Sequence, residues 1–163
     1  MAAVDTEALA TRREELKRTH LLPDESRPRS VARGVHHVAL ICRDVDRTIR
    51  FYQDLVGFPL VEVFENRDYP GSTHFFFDLG HDNLLAFFDF PGLDLEPAIE
   101  AIGSLQHLAI SVERDQFDRI RARLDQNGIE YLGPDRGVEE SLYFKDPDGI
   151  QIEITYLPLR QTA

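Results

Sequence analysis

HVALI at residues 37–41 and HLAIS at residues 107–111 begin two similar stretches of this chain. In each copy a charged turn, RDVD or ERDQ, leads into an amphipathic segment that ends near a glycine, Gly57 or Gly128. Amphipathic spacing predicts a helix, and glycine suits the residue just past its end. Short apolar runs separated by turn residues follow in both copies. The repeat therefore predicts the order strand, helix, strand, strand, strand, twice over.

The repeat also divides the chain into regions. The first module covers about residues 36–90 and the second about residues 106–157, within one domain that we expect over residues 34–160. Residues 1–33 differ, because TEALATRREELKRTH is rich in helix formers and the stretch after it contains two prolines. We expect a helix and linker arm there, which is either a mobile or surface-docked tail, a clasp in a homodimer or a flap over a neighbouring site.

Composition limits the possible functions. The chain has 163 residues, 42% of them hydrophobic, which is enough for one domain with a core. Cys42 is the single cysteine, so an intramolecular disulfide and a cysteine-rich zinc site are excluded. Outside residues 1–33 the charge is −12, which argues against nucleic acid as a partner. With no long apolar run and no signal-type segment, we expect a soluble cytoplasmic protein that binds a small molecule, not a membrane.

Strand alternation assigns faces to the strands that begin and end the modules. One face of each first strand is apolar, and the other face begins with a histidine, His37 or His107. In the last strand of the second module, Glu153 lies between two isoleucines and so faces the opposite way from them. Apolar faces pack on the helices. The opposite faces, with their histidines and glutamate, therefore predict the wall of a polar cavity.

The two modules resemble the vicinal oxygen chelate superfamily over about residues 34–157. The resemblance is carried by GVHHVALICRDVDRTIRFYQDLVGF in the first module and by LQHLAISV with KDPDGIQIEITY in the second. That group includes glyoxalase I, methylmalonyl-CoA epimerase, extradiol ring-cleavage dioxygenases, fosfomycin resistance enzymes and bleomycin-binding proteins. It implies an α+β fold of two βαβββ modules that form a half-barrel cleft, here with an N-terminal helical arm.

The resemblance also implies metal ligands on the first and last strands of each module. The matching positions are His37, His107 and Glu153, while Ala86 stands at the fourth position and cannot bind a metal. Two imidazoles and one carboxylate leave coordination positions open, which suits Fe(II) in an extradiol dioxygenase. We therefore expect a divalent metal, with Fe(II) first and Mn, Ni or Zn as alternatives. His36 points away from His37 by alternation, so we expect a supporting or structural role for it.

Tyr143 and His74 are the candidate catalytic residues. Tyr143 stands ten residues before Glu153, as does the tyrosine that contacts the bound diol in the extradiol pattern. Simple hairpin pairing argues against this role, because a turn closed by Asp146 and Gly149 puts Leu142 opposite Glu153. Tyr143 would then have a packing role. His74, in THFFFDL, is a candidate for acid–base chemistry because imidazole titrates near neutrality.

Three functions remain open. An Fe(II) extradiol-like dioxygenase, acting on an apolar or aromatic small molecule with neighbouring oxygens, fits the three-ligand pattern. GPDRG, where such enzymes have a further histidine, counts against catechol-type ring opening. A glyoxalase-like or epimerase-like lyase or isomerase, or a thiol transferase, would use the metal as a Lewis acid, and Ala86 counts against it. A metal-free protein that binds a cationic drug suits the acidic charge but does not need the His-His-Glu set.

Overall fold

The computed structural model describes residues 5–134 and 140–157. The chain divides into two units, one that ends at Arg33 and one that begins at Gly34. In the first unit, helix α1 runs over Thr6–His20, and the side chain of Asp5 caps it by accepting the amide of Ala8 at 2.9 Å. A short 3₁₀ turn follows at Asp24–Ser26. The predicted N-terminal helix is therefore present, and all its side chains remain at least partly exposed.

The first module has the predicted element order. It consists of strand β1 (His37–Ile41), helix α2 (Val45–Ile49) continued as a π-helix (Arg50–Val56), and strands β2 (Leu60–Glu65), β3 (Thr73–Asp78) and β4 (Leu84–Phe88). The sheet order is β1-β4-β3-β2, with β1 parallel to β4 and the other pairs antiparallel. The helix ends at Gly57, whose left-handed φ of 98° lets its amide donate to the carbonyl of Tyr52.

The second module repeats this topology. It consists of strand β5 (Leu108–Ser111), helix α3 (Arg114–Gln126) and strands β6 (Tyr131–Leu132), β7 (Ser141–Lys145) and β8 (Gln151–Thr155). Its sheet order is β5-β8-β7-β6, again with a parallel first pair. The α+β fold of two βαβββ modules is confirmed. Both sheets have their first strand at an edge, because the helix carries the chain to the opposite edge and the fourth strand returns to pair with the first.

The two modules share one hydrophobic core on the helix side of their sheets. Tyr52, from the first module, is fully buried and donates its hydroxyl to Asp146 of the second module at 3.0 Å. Arg123 of α3 donates to the carbonyl of Val56 at 2.7 Å and also to that of Leu55. Burial raises the pKa of the Asp146 carboxyl, although the hydrogen bonds it accepts act in the opposite direction. These contacts hold the helix of one module against elements of the other.

The faces turned away from the helices remain open along the first strands. Ala39 and Ile41 of β1 are exposed, as are Ala109 and Ser111 of β5. Ala39 and Ile41 follow His37 by two and four residues, and so share its face of the strand. Ala109 and Ser111 stand in the same relation to His107. His37 and His107 therefore lie on surfaces that another molecule can reach. Among the described residues, every helix is too short or too polar to cross a membrane.

Candidate metal centre

His107 and Glu153 meet on the open face of the second module. Nε2 of His107 lies 3.1 Å from Oε2 of Glu153, and the glutamate side chain is only 11% exposed. Glu153 is held by β8, where it is registered with Ala109 of β5, while His107 directly precedes that strand. The two side chains reach the same place because residues two apart in a strand share a face. Sequence-based assignment of both residues to one face agrees with this geometry.

The spacing of this pair suits two ligands of one metal ion. Imidazole nitrogen and carboxylate oxygen bind Zn²⁺ and similar ions at about 2.0–2.2 Å. Two such ligands on one ion are therefore about 3.0 Å apart in octahedral geometry and about 3.4 Å apart in tetrahedral geometry. The separation of 3.1 Å between His107 Nε2 and Glu153 Oε2 falls in this range. The chemistry of the two donors and their distance both fit a divalent metal.

Tyr143 lies directly opposite Glu153, contrary to the simple hairpin pairing. The turn is closed by Asp146 and Ile150, so the loop contains three residues and the register moves by one. Asp146 fixes this loop, because its carboxylate accepts the amides of Asp148 and Ile150 at 2.9 and 2.8 Å. The expectation that Leu142 pairs with Glu153 is wrong. The Tyr143 ring instead contacts that of His107, with centroids 6.1 Å apart.

The first module carries no acid at the position equivalent to Glu153. Ala86 of β4 is registered with Ala39 of β1, as Glu153 is with Ala109, so the repeat places Ala86 and Glu153 at matching sites. Phe76 lies opposite Ala86 on β3, where Tyr143 lies in the second module. Ala86 is fully buried. The alignment that assigned alanine to the fourth ligand position thus agrees with the strand register.

His37 and His74 belong to an aromatic cluster on the first module. The ring centroid of His37 lies 6.0 Å from that of Phe76, and the His74 ring stacks on Phe88 at 3.7 Å. Nε2 of His74 is buried and has no hydrogen-bond partner among the described residues. Burial lowers the pKa of His74 below its ordinary 6.5, and the nearby His37 adds to the effect. His74 is therefore held as a neutral imidazole at neutral pH.

The two clusters remain separate within one chain. In residues 5–134 and 140–157, no three His, Cys, Asp or Glu side chains come close enough to hold one metal ion. The structure brings together His107, Glu153 and Tyr143 in the second module, and His37 with His74 in the first. It does not bring His37 to the His107–Glu153 pair. Most of GPDRG, residues 135–137, lies outside the described residues.

Sequence reasoning missed the contact that each candidate histidine makes with the residue before it. Oε1 of Gln106 contacts Nδ1 of His107. In the first module, Nδ1 of His36 lies 2.8 Å from Nδ1 of His37. Side chains of consecutive residues point to opposite faces only within a strand. Gln106 and His36 both precede a strand, so this rule does not separate them from the histidines that follow. The signal available in the sequence was that both positions carry a polar side chain in equivalent places of the repeat.

A cavity of about 800 Å³ lies beside Gln106. It is bounded by the end of β1, the connection between the modules and the turn between β7 and β8. Its walls are largely apolar and include Leu93, Leu95, Ile99, Leu105 and Ile150. Volumes of this size hold small organic ligands. The segment that connects the modules supplies many of the lining residues, and Phe90 is the phenylalanine among them.

Comparison of the sequence with known families identifies the family of this chain. Residues 34–154 match the family described as Glyoxalase/Bleomycin resistance protein/Dioxygenase superfamily. The chain belongs to this superfamily. The match covers both βαβββ modules and excludes the N-terminal arm. Membership confirms the resemblance stated from the sequence, and it leaves the reaction open because the superfamily contains several activities.

Curated relatives within the superfamily carry different activities in their names. The chain is 31% identical to "Glyoxylase I 4" of Arabidopsis thaliana, over 74% of this chain and 69% of that protein. It is 29% identical to "Putative ring-cleaving dioxygenase MhqE" of Bacillus subtilis, over 74% of this chain. It is 31% identical to "Metallothiol transferase FosB" of Shouchella clausii, over 74% of this chain and 78% of that protein. The chain matches only 40% of the length of the putative dioxygenase.

A solved structure supports the superfamily fold. The glyoxylase/bleomycin resistance protein/dioxygenase domain from Frankia sp. EAN1pec superposes with a TM-score of 0.66, over 77% of this chain and 98% of that domain. Its sequence identity of 24% supports likeness of fold alone. The superfamily thus accounts for the two sheets and their order, and the chemistry has to be argued from the side chains.

Proposed function

We propose that this protein is a metal-dependent enzyme whose centre consists of His37, His107 and Glu153. The observation that carries the proposal is the 3.1 Å separation of His107 Nε2 and Glu153 Oε2 on an open strand face. Two donors alone make a weak site, and the repeat supplies a third candidate in His37, at the position equivalent to His107. The proposed ligand set is the one that the sequence resemblance implies.

A second copy of the chain would complete this centre. His37 and His107 are both exposed, and each lies at the start of a strand that forms the edge of its sheet. Two copies related by a twofold axis would bring His37 of each chain to the His107–Glu153 pair of the other, which gives two equivalent sites. This arrangement also explains why three donors are not clustered among the described residues of one chain.

Within that centre we propose an Fe(II)-dependent, extradiol-like dioxygenase reaction. When bound by three protein ligands, Fe(II) offers positions for two neighbouring substrate oxygens and for O2. Ala86 supports the proposal, because it places a methyl group where a fourth protein ligand would otherwise stand. In such a reaction both atoms of O2 enter the product as a carbon–carbon bond of the substrate breaks. Assays must establish that the bound metal is iron and that O2 is the oxidant.

The remaining roles fall to side chains around the proposed centre. Tyr143 faces the same side as Glu153, so its hydroxyl is suited to hold a substrate oxygen on which charge develops. His74 is half-buried, stacks on Phe88 and has a lowered pKa, so its neutral imidazole is suited to accept a proton from the substrate. The apolar walls of the cavity beside Gln106 support an apolar or aromatic substrate.

A second candidate is Lewis-acid chemistry without O2. It is favoured by two relatives that are 31% identical and are named as a glyoxylase and a metallothiol transferase. In that case the same three residues would hold a divalent ion that stabilises an oxyanion. Ala86 does not favour this function, because fewer protein ligands leave the charge less neutralised and more positions open to water.

The test is metal analysis followed by oxygen-uptake assays. Protein purified without air and without a histidine tag should contain iron, and catechol-like diols should then trigger O2 uptake at about one O2 per turnover. Turnover of a hydroxy-ketone, an epoxide or a thiol substrate without O2 would overturn the dioxygenase proposal in favour of Lewis-acid chemistry. Failure to bind Fe, Mn, Ni or Zn at micromolar concentration would overturn the metal centre itself and favour a metal-free binding protein.

A further inference from the structure

The side chain that precedes each candidate ligand histidine contacts Nδ1 of that histidine. Gln106 presents Oε1 to Nδ1 of His107, and His36 presents Nδ1 to Nδ1 of His37 at 2.8 Å. The two contacting residues occupy equivalent positions of the repeat, 70 residues apart. The same ring nitrogen is engaged in both modules, although the contacting groups differ in chemistry. A recurrence of this kind points to a requirement of the histidines rather than of the local packing.

In the contact between Gln106 and His107, the chemistry of the two groups decides which one donates the hydrogen bond. A carbonyl oxygen only accepts hydrogen bonds, so Nδ1 of His107 must carry the hydrogen. In a neutral imidazole the other nitrogen, Nε2, then keeps its lone pair. Nε2 is the nitrogen that lies 3.1 Å from Glu153. The contact thus directs the free lone pair of His107 toward the carboxylate that shares the proposed centre.

In the first module, His37 can likewise be the donor at Nδ1. Two neutral imidazoles that meet through Nδ1 need one donor and one acceptor, so His37 can donate while His36 accepts. His37 would then keep the lone pair on its Nε2, as His107 does. The reverse assignment would leave His37 with a protonated Nε2, which cannot bind a metal.

We propose that Gln106 and His36 are positioning residues that hold His107 and His37 as Nδ1–H tautomers and so present Nε2 to the metal. This inference rests on the proposed metal centre, to which it adds the residues that orient the ligands. Hydrogen bonds to the far nitrogen of a ligand histidine fix its ring and raise its basicity, and their loss costs about 10- to 100-fold in metal affinity. Gln106 also lines the cavity, so it connects the ligand with the space available to a substrate.

The first arm of the test measures the affinity of the metal-free protein for zinc by competition with a chelator. Gln106→Leu should weaken zinc binding by about 10-fold or more, whereas Gln106→Glu, which keeps an acceptor, should retain affinity close to that of the original protein. The control is Gln116→Leu, on the exposed surface of α3, which should change nothing. In the first module, His36→Leu should weaken zinc binding and His36→Gln should preserve it. Unchanged affinity in both leucine variants would overturn the proposal.

The second arm reads the tautomer directly and needs no metal. It uses ¹⁵N NMR of the His107 ring at about pH 9, where imidazole is neutral, in a Glu153→Ala background that removes the competing acceptor at Nε2. His107 should be the Nδ1–H tautomer there, and adding Gln106→Leu should shift it toward Nε2–H. An identical tautomer with and without Gln106 would overturn the inference, whether or not the protein binds zinc. A protein that binds no metal, yet shows the tautomer shift, would contradict only the proposed function.

Discussion

Nε2 of His107 and Oε2 of Glu153 lie 3.1 Å apart on the open face of the second module. The glutamate is almost fully buried, and this imidazole is its ionic contact among the described residues. A buried carboxylate is costly unless a positive charge or several hydrogen-bond donors face it. A divalent metal between the two side chains would supply that charge. The burial of the carboxylate and its distance from the imidazole are the properties that the proposed metal centre requires.

Glu153→Gln should remove most of the metal affinity. The amide is similar in size to the carboxylate but neutral, and amides are poorer ligands than carboxylates for Fe, Mn and Zn. We expect the dissociation constant to rise by at least the roughly 100-fold that loss of a ligand's hydrogen-bond partner can cost, as measured by chelator competition. Glu130→Gln, which alters an exposed glutamate on the same module, is the control and should bind as the original protein does. Equal affinity in the two variants would contradict the role of Glu153.

Tyr143→Phe should slow turnover more than it weakens substrate binding. The hydroxyl is lost while the ring that packs against His107 remains. A contact that strengthens only as charge develops on oxygen affects kcat, and its removal costs about 100-fold. Steady-state kinetics separate kcat from KM, and Tyr131→Phe serves as a control because its hydroxyl bonds to Asp125 at the surface. A raised KM with unchanged kcat would assign Tyr143 to binding alone.

Asp146→Asn should change the pH dependence of folding stability. Burial raises the pKa of this carboxyl above its ordinary 3.8, so the folded protein favours the protonated form. Its contribution to stability is therefore present at low pH and is lost as pH rises through the raised value. Relative to Asp146→Asn, the original protein should become less stable as the pH rises above the ordinary carboxyl pKa of 3.8, as measured by urea denaturation. Asp94→Asn, at an exposed site, should leave the original slope unchanged.

Cys42 should not react with thiol reagents in the folded protein. It is 3% exposed, and burial raises the pKa of its thiol to about 12. The thiolate is the reactive form, so it is almost absent at pH 8. Iodoacetamide labelling followed by mass spectrometry should show modification only after denaturation. Rapid labelling of folded protein would mean that Cys42 is accessible and has to be considered as a nucleophile.

Much of the fold follows from the repeat because strand and helix periods are local properties of the sequence. The first strands that begin at His37 and near His107, the glycine after each helix and the equivalence of Ala86 with Glu153 were all predictable. The position of Tyr143 was predictable only through the resemblance. Hairpin register depends on the loop, and the Asp146 carboxylate selects a three-residue loop that residue counting does not reveal.

The separation of His37 from His107 was not predictable from alternation. Alternation assigns a side chain to a face of its own sheet, and it does not say how two sheets are placed. That placement depends on long-range contacts such as those of Tyr52 with Asp146 and of Arg123 with Val56. The contact of Gln106 with His107 was missed for a different reason. Both residues precede the strand, where the alternation rule does not apply.

The most direct test of the shared metal centre combines two inactive variants in one dimer. His37→Ala and His107→Ala chains carry different tags without histidine, are expressed together, and are purified as the mixed dimer. Neither variant alone should retain metal. In the mixed dimer one of the two sites receives His37 from one chain and His107 with Glu153 from the other, so we predict about one metal ion for every two chains. Failure of the mixed dimer to form, or a mixed dimer without metal, would contradict a centre shared between two copies.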